Sequence, residues 1–212
     1  MIYNEDYRKT ISKLKNVDYV FTVPPDFDEL EYNPNKESDK YFEFLNEFMD
    51  NMSKITDLCT IAITDRKFNG TILSKHSYII RYMLDNGWNL LSHKIWQKTD
   101  KRNLYRLIYS HVMTFFKNKK PKQTHHDTYE YDIFTDKENK FSGYPYGIAL
   151  GVVIKLVKNF KDIKTVYDPF MGSGTTALAC NICGLQCFGS EINKDYYDLI
   201  KKRLNQTTLE VY

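Results

Sequence analysis

The sequence predicts an α/β fold, a three-layer αβα sandwich on a mostly parallel sheet with an antiparallel hairpin at one edge. Three observations carry this. Short apolar runs rich in β-branched and aromatic residues alternate with segments whose apolar positions recur at three and four. Late in the chain a strand, a glycine-rich turn, a helix and a second strand follow one another in βαβ order. Finally, 212 residues at 42% hydrophobic and 27% charged suffice for one buried core and argue against wholesale disorder.

The first strand is read over Val17 to Val23 and is halted by Pro24 and Pro25. Ser38 is placed to cap a helix carrying Tyr41, Phe42, Leu45, Phe48, Met49 and Met52 on one face. Leu58 to Thr64 reads as a second buried strand, and a helix from about Lys75 to Asp85 ends near Gly87. Trp88 to Trp96 and Leu104 to Phe116 form the expected hairpin, turning around Asn103. Residues 117 to 143 are polar and aperiodic, a loop or small excursion. A helix over Gly147 to Phe160 leads to a strand at Ile163 to Tyr167. The helix after the glycine turn runs to about Cys183, Gly184 stops it, and Gln186 to Ser190 closes the unit.

Thirty Lys and Arg against 27 Asp and Glu give a net charge of +3, which permits a nucleic-acid partner without requiring one. The densest basic run, Lys117, Lys119, Lys120 and Lys122 with His125 and His126 beyond it, is read as a solvated loop or a phosphate-facing one. Arg8, Lys13 and Lys15 are read as a solvated helix face. Cys180, Cys183 and Cys187 lack a fourth ligand at suitable spacing, so thiols packed on a sheet are expected and a metal site is not. No run is long and apolar enough to span a bilayer, and the start lacks a basic region followed by an apolar one. The expectation is an intracellular protein.

The strongest local signal is Asp168-Pro169-Phe170-Met171-Gly172-Ser173-Gly174-Thr175-Thr176 at a strand-to-helix junction. Glycines there let the backbone approach a ligand, and the helix N-terminus offers free N–H groups. Glu191 ends the next strand, close to the roughly 20-residue offset at which an acidic side chain reaches a ribose hydroxyl pair. A nucleoside-containing cofactor is implied. The loop lacks the Gly-Lys-Ser/Thr of a Walker phosphate loop.

These residues resemble a known family. Asp168 to Thr176 is similar to the DPF-x-GSGTT motif of S-adenosylmethionine-dependent DNA amino-methyltransferases, which modify N6 of adenine or N4 of cytosine. Gly189-Ser190-Glu191-Ile192-Asn193, then Tyr196-Tyr197 and a helix to Leu204, resembles the family's G-x-E motif and the "Y…A…R" helix after it. Tyr109 to Lys117 resembles its "Y-E-H-hydrophobic-F" strand, and Trp88 with Trp96-Gln97-Lys98 its "GW…W-x-K" strand. Tyr144-Pro145-Tyr146 corresponds to the segment that enters the cofactor site. The resemblance implies a Rossmann-like class I methyltransferase fold of about seven strands, with S-adenosyl-L-methionine as cofactor. The cofactor-binding set it implies is Asp168, Pro169, Phe170, Met171, Gly172, Ser173, Gly174, Thr175, Thr176, Glu191 and Tyr146.

The catalytic segment implied by the resemblance is Thr22, Val23, Pro24, Pro25, Asp26 and Phe27, which precedes the cofactor loop as in the permuted β group of the family. In the family pattern Asp, Asn or Ser precedes Pro-Pro, and an aromatic follows. An exocyclic amino nitrogen is a poor nucleophile because its lone pair is delocalised, so a polar side chain and the next backbone carbonyl accept its N–H groups while the aromatic stacks on the flipped base. Here Val23 stands where the acceptor belongs, and Asp26 where the aromatic belongs. Val23 cannot accept a hydrogen bond. Two readings follow. Thr22 or Asp26 accepts from the amino group and Phe27 stacks, or the site is impaired and the protein serves as a binding or regulatory subunit. An RNA or protein methyltransferase is a third class. His93, His111, His125 and His126 are not needed as bases by this mechanism, and His111 fits the strand pattern as a structural residue.

The sequence therefore points to one methyltransferase domain over residues 1–212, with 117–143 a short insert in place of a target-recognition domain. The expected partner is DNA, with a homodimer or a separate recognition partner left open.

Overall fold

A computed structural model describes residues 1–26, 29–30, 37–68, 70–99, 107–124, 132–137 and 147–209. In chain order its elements are β1 (Ile2–Tyr3), α1 (Tyr7–Ile11), β2 (Tyr19–Thr22), α2 (Ser38–Met52), β3 (Leu58–Ile63), β4 (Arg66–Phe68), β5 (Thr71–Leu73), α3 (Lys75–Asp85), β6 (Asn89–Gln97), β7 (Tyr109–Phe116), β8 (Ile133–Phe134), α4 (Leu150–Lys158), β9 (Thr165–Asp168), α5 (Thr175–Ile182), β10 (Gln186–Ser190) and α6 (Lys194–Leu209).

Every residue of β2 and β3 is buried, which is why both read as continuous apolar runs rather than alternating ones. The pleat divides them between two cores. Val20, Cys59, Ile61 and Ile63 pack with Tyr41, Leu45 and Phe48 of α2 and Ile79 of α3. Tyr19, Phe21 and Ala62 pack with Val152, Val153 and Leu156 of α4 and Ala179 and Cys180 of α5 on the opposite face. The expected three layers are therefore present. Of the grouped cysteines, Cys180 lies in that second core with Cys183 packed against it.

The main sheet has the order β1-β10-β9-β2-β3-β7-β6-β8. Strands β1, β10, β9, β2 and β3 run parallel. β7 runs antiparallel to both β3 and β6, and β8 parallel to β6. The expectation of about seven strands is corrected to eight, with β4 and β5 forming a separate two-stranded ladder. The antiparallel pair β6–β7 lies at one end of the sheet as expected, with only the two-residue β8 outside it. β8 rises from the segment expected to be aperiodic and caps β6, held by the Ile95 N–H on the Asp132 carbonyl (2.9 Å) and the Trp96 indole N–H on the Asp136 carbonyl (2.8 Å). Two residues are too few to show a period of two. Ser38 lies inside α2, and Glu37 occupies the N-cap position. The turn around Asn103 lies outside the described residues.

Candidate active site

The parallel strands β2, β3, β9 and β10 deliver their carboxyl ends to one rim of the sheet, where open α/β folds bind ligands. At the end of β9 the chain turns through Gly172 (φ 53°) and Gly174 (φ 78°) before α5 begins. Only glycine adopts this conformation without strain. A Cβ on Gly174 would also lie 3.0 Å from Ile200 Cγ2. The loop is tied to β10 by the Met171 N–H donating to the Ser190 carbonyl (2.9 Å). The Gly172 N–H donates to Glu191 Oε2, and the Asn193 N–H to Glu191 Oε1, both at 2.8 Å. From α6, Arg203 donates to the Ser173 carbonyl (2.8 Å) and to Thr175 Oγ1 (3.1 Å).

Asp168 is 3% exposed, and both carboxylate oxygens act as acceptors. Thr22 Oγ1 donates to Oδ1 at 2.8 Å, Thr176 Oγ1 to Oδ2 at 2.6 Å, and the Phe170 N–H to Oδ1 at 3.0 Å. Burial pushes its pKa up to about 6, against those hydrogen bonds, which pull it down. Burial also raises Glu191, opposed by the N–H groups of Asn193 and Gly172. The expected loop residues thus fall into two groups. Asp168, Ser173, Thr175 and Thr176 bond within the protein, Met171 packs with Ala177 and Ile200, and the Phe170 ring meets Tyr7 and Phe48 edge-on at 5.1 Å. Gly172, Gly174 and Glu191 form the turn and its acidic partner.

The Pro-Pro turn follows β2, which lies beside β9, so the Thr22–Asp168 bond joins the two candidate segments directly. Val23 is 38% exposed at this rim. Tyr41 donates its hydroxyl to the Pro25 carbonyl at 3.1 Å. The expectation that Asp26 accepts from a substrate amino group meets a different arrangement. Its Oδ1 takes Lys75 Nζ at 2.9 Å and its Oδ2 takes Arg66 Nη1 at 3.1 Å. Lys75 is 1% exposed, with its ammonium 5.6 Å from the centre of the Tyr41 ring. A buried ammonium needs a counter-charge, and Asp26 is that counter-charge. Phe27 and Tyr146 lie outside the described residues, as do His125 and His126.

Lys75, Arg66 and Arg203 escaped sequence reasoning as site residues. Nothing in an isolated lysine shows that it will be buried. Arg203 does fall at the arginine of the resembled "Y…A…R" helix, which was the available signal. Arg8 pairs with Glu47 (2.7 Å) and Lys13 with Glu5 (2.6 Å), in keeping with a solvated face. Beside the turn, His76 and His111 face Asp65, and burial pushes the His111 pKa down to about 4.

Comparison with known proteins places this geometry in a family. Residues 17–202 match the N6_N4_Mtase family of DNA methylases, and the chain belongs to it. The type II methyltransferase M2.LlaDCHI of Lactococcus lactis subsp. cremoris is 29% identical over 167 residues, 66% of this chain and 62% of that protein. The chain therefore spans less than two thirds of that relative's length. TTHA0409 of Thermus thermophilus, solved with S-adenosyl-L-methionine and described as a DNA modification methylase, shares the fold at TM-score 0.75 and 19% identity, covering 97% of this chain and 93% of that one. The cytosine-N4-specific PvuII DNA methyltransferase superposes at TM-score 0.78 and 15% identity, over 92% of this chain and 82% of that one.

Proposed function

We propose that the protein transfers a methyl group from S-adenosyl-L-methionine to an exocyclic amino group, N6 of adenine or N4 of cytosine, in DNA. One observation supports it most: the glycine turn with Glu191 and the Pro-Pro turn sit on neighbouring strands, joined by the buried Thr22–Asp168 hydrogen bond. Family membership supplies the reaction class. The residues suit the cofactor. Each Glu191 oxygen holds one N–H and keeps a further lone pair for a ribose hydroxyl, and the left-handed Gly172 and Gly174 keep Cβ atoms off the turn. When bound, the cofactor supplies a methyl group on an electrophilic sulfonium.

The chain's own residues do the rest. Asp168 fixes the glycine turn from below and Arg203 from the side, so Gly172, Gly174 and Glu191 are held before any ligand arrives, which reduces the entropy lost in reaching the transition state. At the Pro-Pro turn, the Pro25 carbonyl already takes the Tyr41 hydroxyl, so the acceptor for the amino N–H is assigned to the Pro24 carbonyl. With valine at position 23 a second side-chain acceptor is missing. By analogy with a deleted oxyanion-hole donor, that slows transfer by on the order of 100-fold. Thr22 Oγ1 does not replace the missing acceptor, because its proton is committed to Asp168 and the residue is fully buried, out of reach of a substrate in this arrangement. Phe27 is proposed to stack on the flipped base.

We further propose a single domain over 1–212, acting where DNA resides, with 117–143 in place of a target-recognition domain. Short or relaxed sequence specificity follows, or dependence on a recognition partner or a second copy. Among the described residues no helix is long and apolar enough to cross a membrane. The test is transfer of radiolabelled methyl from S-adenosyl-L-methionine to unmethylated genomic DNA, followed by nucleoside analysis. N6-methyladenine or N4-methylcytosine is the expected product. Cofactor binding without label in DNA would transfer the conclusion to a binding or regulatory role, and label in RNA or protein alone would change the acceptor.

A further inference from the structure

A second constellation lies beside the Pro-Pro turn and takes no part in the chemistry above. Asp65 follows β3 and is 6% exposed. Its Oδ1 accepts the His76 backbone N–H at 3.1 Å and so caps α3, whose own N-cap residue, Ser74, makes no side-chain cap bond. Oδ2 accepts the Ser74 hydroxyl at 3.4 Å and faces two imidazoles, with His76 Nδ1 at 2.6 Å and His111 Nε2 at 3.6 Å. The second distance is too long for a hydrogen bond. His111 is 7% exposed, and among the described residues its Nε2 has no hydrogen-bond partner. Its other ring nitrogen meets His93 Nε2 at 2.9 Å. A buried ring nitrogen left unpaired is costly, and this one is aimed at a carboxylate.

We propose that Asp65 Oδ2, His76 Nδ1 and His111 Nε2 bind one divalent transition-metal ion of the zinc class. The three donor atoms lie within 4.8 Å of one another. One oxygen and two imidazole nitrogens suit zinc, whose bonds of about 2.0–2.1 Å place tetrahedral donors roughly 3.3 Å apart. The His93–His111 contact is the outer bond that orients a ligating imidazole and sets which nitrogen carries the proton. His76 and His111 stack at 3.7 Å with 11° between their planes, so their lone pairs do not yet converge. Seating the ion turns His76, which stands at the start of α3 with its side chain 23% exposed, out of that stack, while His111 stays anchored on β7. The ion would join β3, α3 and β7. The chain between Asp65 and His76 carries Arg66 and Lys75, the two partners of Asp26, so the ion would brace the segment that holds the Pro-Pro turn.

The test uses tag-free full-length protein stripped with chelator and titrated with Co²⁺, followed by absorption, then with Zn²⁺ as competitor. The expected result is one Co²⁺ per chain with the visible bands of a low-coordinate nitrogen–oxygen site, displaced by one equivalent of Zn²⁺. Saturable uptake is lost in His111→Ala and in His76→Ala, and His93→Ala weakens it about 10- to 100-fold. No saturable uptake by wild type, or equal uptake in both ligand variants, overturns the proposal. A thiolate charge-transfer band overturns it too, by placing the ion on the cysteines. Should His111→Ala fail to fold by circular dichroism, His76→Ala decides. The readout does not use methyl transfer, so it stands or falls apart from the proposed activity.

Discussion

The glycine turn and the Pro-Pro turn stand on adjacent strands and share one hydrogen bond, yet they are built in opposite ways. The glycine turn is held mostly by groups of its own strand–turn–helix–strand unit, with Asp168 and Glu191 each spending both oxygens on N–H and O–H groups there, and is completed by Thr22 from β2 and the Arg203 guanidinium from α6. The Pro-Pro turn is held by charge from a distance, through Lys75 on α3 and Arg66 on β4. A self-contained turn reads as a local motif. A turn held from elsewhere tolerates a departure from its motif where the replacing side chain is itself the anchor, as Asp26 is for Lys75 and Arg66. That difference explains how aspartate can occupy the position where the family carries an aromatic: Asp26 answers a buried lysine rather than a base.

The largest effect is expected at the bond the two turns share. Asp168→Ala strands the Thr22 and Thr176 hydroxyls and the Phe170 N–H, and is expected to cost on the order of 3 kcal/mol in denaturant unfolding, with loss of cofactor binding. Its pH signature has a definite sign. The folded pKa of about 6 lies above the ordinary aspartate value of 3.8, so the folded state binds the proton more tightly. The stability contributed by this group is complete below about pH 4 and is lost as pH rises through about 6. Asp168→Asn should be flat across that window, and parallel curves for the two proteins would refute the assignment.

Val23→Asp restores a side-chain acceptor on the other turn. A gain in kcat on the order of 100-fold, with the cofactor KM unchanged, is expected in the methyl-transfer assay. No gain would mean that the turn obtains its second acceptor from within its present arrangement. Adding Asp26→Tyr, which completes the family pattern, should instead cost stability by stranding Lys75.

Asp26→Ala alone is expected to lose about 2 kcal/mol, reduced because the carboxylate is 26% exposed. Combining it with Lys75→Met should recover most of that loss. A double-mutant cycle with coupling below about 0.5 kcal/mol would show the pair to be incidental. The smallest effect is Gly174→Ala, about 1–2 kcal/mol in thermal unfolding, from the left-handed backbone at φ 78° and the crowding against Ile200.

Most of the sheet was legible because β2, β3, β9 and β10 are each long enough to show an apolar run between turn residues. β1 and β8 were not, since two residues carry no period and each forms only by pairing with a strand distant in sequence, Ile2 with Gly189 and Ile133 with Ile95. At the site, Gly172, Gly174 and Glu191 were readable because the turn needs those residue types at that spacing. Lys75, Arg66 and the Asp65–His76–His111 group were not, because their members come from separate elements and meet only when β3, β7 and α3 pack.

The sequence alone determined the α/β class, the family resemblance and the position of the glycine turn. The class and the turn follow from hydrophobic period and backbone freedom, which are properties of neighbouring residues, and the resemblance rests on the motif strings around Asp168 and Glu191. Tertiary structure alone decided what Asp168 and Asp26 do. A carboxylate is an acceptor in any sequence, but whether it braces a turn, neutralises a lysine or faces a substrate depends on which donors the fold brings within hydrogen-bonding reach of it.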